Sequence, residues 1–91
     1  MPHTVLVIGA TGGLGKAFTE ALVKQGNTVL IAGRDRAKLA QIQSITSIAQ
    51  FFEVDMQNPA SITQMMATIL KEYPQLNVVI NVTGYDVRKP Y

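Results

Sequence analysis

Residues 7–17 read VIGATGGLGKA, and four of the seven residues from 9 to 15 are glycine. To the left, TVLVI (4–8) is a β-branched run of strand length. To the right, Leu14, Ala17, Phe18, Ala21 and Leu22 recur at the spacing of one helical face. A strand, a turn almost without side chains and a helix therefore follow directly on one another. The same alternation continues outward. TVLIA (28–32), QFFEV (50–54) and NVVIN (77–81) are further short apolar runs, while Leu39, Ile42 and Ile45 mark a second helix and Ile62, Met65, Met66, Ile69 and Leu70 a third.

The strand runs are continuously apolar, as strands covered by helices on both faces are. The helix ends carry their own signals. Gly26 suits a left-handed C-terminal cap, Asp35 an N-cap, and Asn58-Pro59 a cap followed by a first-turn proline. A helix in every connection of β-α-β-α-β-α-β predicts parallel strands with right-handed crossovers. The expected fold is α/β, a three-layer half-Rossmann arrangement with strand order 3-2-1-4.

Length and composition agree with one domain over residues 1–91, with 47% hydrophobic and 15% charged residues. The net charge is only +2 and the Lys and Arg residues form no run, so no nucleic-acid footprint is expected. Without cysteine, and with His3 as the single imidazole, neither a disulfide framework nor a metal centre is expected. The start shows no basic leader and the chain no apolar span of about 20 residues, so it reads as a cytoplasmic protein without a membrane partner.

A glycine-rich turn between a buried strand and a helix is where phosphate binding works, because unpaired helix amides and absent side chains let an anion reach the main chain. Gly9, Gly13 and Gly15 give G-x-x-x-G-x-G, and Gly12 adds G-x-x-G-x-x-G. A nucleoside triphosphatase loop is excluded: Ala10 stands where its first glycine belongs, and Ala17 follows Lys16 where a hydroxyl is needed. The residues after the second strand, AGRDR, select the coenzyme. Gly33 stands where a ribose-binding acid falls and Arg34 follows it, a pattern fit for the 2′-phosphate of NADP(H) in preference to NAD(H). Asp35 has two readings, a ribose ligand that would favour NAD or the N-cap of the second helix.

Together, the glycine turn, GRD after the second strand, VDMQNP after the third and INVTG after the fourth resemble the N-terminal half of the short-chain dehydrogenase/reductase family. The resemblance spans essentially the whole chain. It implies that Thr11, Gly12, Gly13, Leu14 and Gly15 form the coenzyme turn, with Gly13-Leu14 near the pyrophosphate. It implies that the Asp55 carboxylate and the Met56 amide hold the adenine ring. Asn81, Val82, Thr83 and Gly84 match the family's N-N-A-G segment behind the adenosine ribose, departing from it at Val82 and Thr83. The Gly12-Gly13 doubling is also similar to the family's atypical, NmrA-like members. Bland readings stand beside these: Asp55 capping the turn before Asn58-Pro59, and Asn81 tying two backbones together.

The family's chemistry uses a Ser, a Tyr and a Lys well downstream. Tyr85 and Lys89 form a Y-x-x-x-K string, but Pro90 stops a helix through them and no serine precedes them suitably, so the string reads as coincidence. The tail GYDVRKPY looks like the loop before the family's next helix, so the chain is expected to be truncated relative to the family and inactive alone. An edge strand bearing Val78, Val79 and Ile80, with helices uncovered, predicts a homo-oligomer. Two readings follow: the coenzyme-binding half of an NADP(H)-dependent oxidoreductase, or a non-catalytic nucleotide-binding or oligomerising module.

Overall fold

A computed structural model of the chain describes residues 2–82. Their order is β1 (Thr4–Ile8), α1 (Gly13–Lys24), β2 (Thr28–Gly33), α2 (Arg36–Ile45), β3 (Gln50–Glu53), α3 (Pro59–Glu72) and β4 (Val78–Asn81). The four strands form one parallel sheet ordered β3-β2-β1-β4, the order expected from the alternation. The expectations for Thr83, Gly84, the Tyr85/Lys89 string and the rest of the tail lie outside the described residues.

Successive side chains of a strand point to opposite faces, and this splits the core in two. Val5 and Val7 of β1 join Val29 and Ile31 of β2 against Leu39 and Ile42 of α2, with Leu22 and Val23 of α1 at the margin. On the other face, Leu6, Ile8, Leu30 and Ala32 pack with Met65 and Ile69 of α3. Leu6, Leu30 and Ile31 are fully buried, each contributing roughly 1.5–3 kcal/mol of transfer free energy.

The helix ends follow their signals. Asp35 accepts from the Lys38 amide at 3.1 Å and Asn58 from the Ala60 amide at 3.0 Å, with Pro59 opening α3. Past α1, Gly26 has φ 89°. Its amide donates to the Val23 carbonyl at 2.9 Å and that of Asn27 to Leu22 at 3.2 Å, the paired bonds of a Schellman motif.

The α1 face is a correction. Of the expected stripe only Leu22 is partly buried; Leu14 is 55% and Phe18 40% exposed, while Gly15 and Thr19 face the sheet. A Cβ at Gly15 would collide with the Gly9 carbonyl oxygen and lie 2.8 Å from the Ala10 Cα. Backbone approach this close leaves room only for small side chains, so the smaller face turns inward and the larger one outward. Thr19 satisfies its buried hydroxyl by donating to the Gly15 carbonyl at 2.8 Å. Ile45 and Leu70 are likewise exposed at the margins of their stripes. On β4, Val78 and Ile80 pack against the α1/α2 cluster, so Val79 alone of the expected edge trio is exposed.

Polar side chains fasten the opposite rim of the sheet. Asn77 Oδ1 accepts from the Thr4 amide at 3.0 Å, and its Nδ2 lies 2.8 Å from His3 Nδ1. Asn27 Oδ1 accepts from the His3 amide at 2.8 Å, while its Nδ2 donates to the Leu22 carbonyl at 2.9 Å. The starts of β1, β2 and β4 and the end of α1 are thereby held together.

Candidate functional site

The chain builds β2 and β3 on one side of β1 and then crosses to place β4 on the other. At such a switch point the helices diverge and leave a crevice beyond the C-terminal ends of the strands. Here the crevice is open and has a volume of about 1130 Å³.

The glycine turn forms its floor. Gly9 has φ 89°, a conformation only glycine adopts without strain. The amides of Gly9 and Ala10 both donate to the Ala32 carbonyl, at 2.8 and 3.3 Å, the Gly12 amide to Gly9 at 3.3 Å and the Lys16 amide to Gly12 at 2.9 Å. Those amides are engaged. The following ones, at Gly13 and Leu14, begin a helix and have no acceptor within it. Gly12 supplies no side-chain cap and the first turn holds no acidic residue, so the helix start suits an anion. A Cβ at Gly13 would meet nothing within 4 Å. The two glycines therefore differ in kind: Gly15 permits packing, and Gly13 keeps open space at the helix start.

The β2 wall is cationic. Gly33 is buried beneath Thr11, whose Cγ2 would lie 3.3 Å from a Cβ there. Arg34 follows on the exposed rim. The Arg36 guanidinium lies 5.5 Å from the centroid of the Phe51 ring, a cation–π stack. Asp35 caps α2 through the Lys38 amide, the second of its two readings.

On the β3 wall, Asp55 Oδ1 accepts from the Gln57 amide at 2.9 Å and the Asp55 carbonyl from Asn58 at 3.0 Å. The Asp55 amide donates to Ser61 Oγ at 3.1 Å. Asp55 thus does cap a turn, while it remains exposed and lines the crevice beside Met56. On the last wall, Asn81 pairs in register with Ile8, and the Val82 amide donates to the Ile8 carbonyl at 3.0 Å.

Of the residues singled out by the sequence, the crevice gathers Gly9, Thr11, Gly12, Arg34, Asp55, Met56 and Asn81. Gly13, Leu14 and Gly15 stand in the first turn of α1 and do not line it. Lys38 and Gln57, absent from the expected set, also line it. Lys38 had a signal, since a helix capped at Asp35 turns its first residues toward the strand ends. Among the described residues, no three His, Cys, Asp or Glu side chains come together as a metal site, and no helix is long and apolar enough to cross a membrane.

The family model for short chain dehydrogenases matches residues 3–91. NADP-dependent 3-hydroxy acid dehydrogenase YdfG of Escherichia coli O6:H1 is 30% identical over 81 residues, covering 88% of this chain and 33% of the relative. Carbonyl reductase (NADPH) 3 of Rattus norvegicus is 38% identical over 91 residues, covering 94% of this chain and 33% of the relative. The chain spans about a third of the length of the curated relatives it matches. Among solved structures, a short-chain dehydrogenase from Streptomyces avermitilis superposes with a TM-score of 0.78 at 26% identity, over 86% of this chain and 29% of that one.

Proposed function

We propose that this chain, which belongs to the short-chain dehydrogenase/reductase family, is the NADP(H)-binding portion of an oxidoreductase. The observation that carries this reading is the pairing of an uncapped helix start at Gly13-Leu14 with Arg34 on a β2 rim where Gly33 supplies no carboxylate. The first suits a pyrophosphate and the second a ribose 2′-phosphate. The relatives whose names carry NADP or NADPH support the same preference. Asp55 and Met56 then face the adenine, and Asn81 backs the ribose.

A nicotinamide coenzyme supplies hydride chemistry when bound. The groups on this chain bind and orient it. No Ser, Tyr and Lys set stands in these residues at the spacing the family uses, so binding without turnover is the expectation for this chain alone.

Titration with NADPH, NADH and ATP tests the reading. Saturable binding that favours NADPH is expected, with Arg34→Ala weakening NADPH about tenfold and leaving NADH nearly unchanged, since a charge-assisted phosphate contact is lost. Gly13→Val should abolish most binding without unfolding the chain, because its side chain enters open space. A folded chain that takes up none of the three nucleotides would refute the proposal.

A second reading concerns assembly. Leu14 and Phe18 lie on one exposed face of α1, while Leu70 and Val79 are exposed on α3 and β4. Apolar surface of this kind favours a homo-oligomer over a free monomer.

A further inference from the structure

We infer that Ser61 is a positioning residue for base recognition, its hydroxyl accepting from the Asp55 amide and so fixing the backbone from which the Asp55 carboxylate meets the amino group of an adenine. The inference rests on the dinucleotide reading above and concerns the same crevice. The last ladder bond of β3 runs from the Val54 amide to the Gly33 carbonyl at 2.8 Å, so Asp55 is the first residue free of the sheet. Its amide has no strand partner and donates instead to Ser61 Oγ at 3.1 Å. Its carbonyl accepts from Asn58 at 3.0 Å and its Oδ1 from the Gln57 amide at 2.9 Å. Oδ2 is then the remaining acceptor for a base amino group.

Ser61 is well placed to hold this turn. It is the third residue of α3, its own amide donates to Asn58 at 3.0 Å, and the helix is anchored by buried Met65 and Ile69. A smaller crevice of about 420 Å³ brings Ser61 beside Arg34, Glu53, Val54 and Asp55. Arg34, Val54 and Asp55 line both crevices, so Ser61 borders three of the residues that the larger crevice presents. Without it the Asp55 amide loses its acceptor, and the backbone carrying the carboxylate is held only by the bonds to Gln57 and Asn58. The helix start at Gly13-Leu14 is on another element and keeps its grip on phosphate.

Calorimetric titration with NADPH and with its hypoxanthine analogue, which carries a carbonyl oxygen in place of the amino group, reads this directly. The unchanged chain should prefer the adenine form. Ser61→Ala should shrink that preference about threefold to tenfold, almost entirely through weaker NADPH binding. Ser61→Thr should restore it. Ser61→Cys, similar in size but a weak acceptor, should reproduce the loss should alanine disturb the fold. Asp55→Asn should shrink the preference comparably, and adding Ser61→Ala to it should change little further, the non-additivity of residues acting through one contact. Equal losses for both coenzymes in Ser61→Ala, or an unaltered preference, would overturn the role of Ser61 while leaving the dinucleotide reading in place. An unchanged chain that binds neither coenzyme overturns both.

Discussion

Gly13 and Gly15 are two positions apart and face opposite demands. Gly15 lies against the Gly9 carbonyl, whereas Gly13 opens onto space. Gly15→Ala should therefore cost about 1–3 kcal/mol, the usual penalty of overpacking, while Gly13→Ala should stay within about 0.5 kcal/mol of the unchanged chain. Chemical denaturation followed by circular dichroism measures both. The glycine spacing announced that backbone and ligand approach closely here, but a motif does not say which glycine serves which purpose. That distinction is set by the distance between α1 and the turn. Asp35 is a similar case, since its two readings share one sequence and differ only in where the carboxylate points. The structure gives it to the Lys38 amide. Asp35→Ala should lower stability by about 1 kcal/mol, as loss of an N-cap does, with the ratio of NADPH to NADH affinity unchanged.

The elements were largely legible because their signals are local. The β-branched runs, Asn58-Pro59 and Gly26 act on their own stretch of backbone, and the observed strands and helices follow them closely. Strand order was legible because a helix in each connection leaves few ways to arrange parallel strands. The orientation of α1 was not, since hydrophobic periodicity ranks faces by apolarity while the fold ranked them by size. Leu14 and Phe18 form the stronger apolar stripe, yet Gly15 and Thr19 are the pair that fits against the turn. The exposed stripe is then a surface feature. In the homo-oligomer proposed above, replacing Leu14 and Phe18 together by Gln should weaken association at least about tenfold in sedimentation velocity, and shift unfolding free energy by only about 0.5 kcal/mol, since neither side chain is in the core.

Across the whole molecule, one end of the sheet is tied and the other is open. His3, Asn27 and Asn77 fasten the starts of the strands, whereas the finishing ends carry the glycine turn, Arg34, Asp55 and Asn81 around the crevice. Part of the crevice was legible, since Gly9, Thr11, Gly12, Arg34, Asp55, Met56 and Asn81 line it while Gly13, Leu14 and Gly15 stand outside its lining; the tie was not, because His3 and Asn77 are 74 positions apart and neither stands in a motif. Strand order also has a consequence for biosynthesis. β1 is made first but ends up between β2 and β4, and β4 is the last of the four to be made. While the polypeptide is being translated, the hydrogen-bonding flank of β1 that will receive β4 has no mate, and the Thr4 amide has no Asn77 to bind. A nascent chain of this topology exposes a ready-made docking ledge to its neighbours until β4 leaves the ribosome, which is the interval in which mispairing and chaperone capture compete with folding.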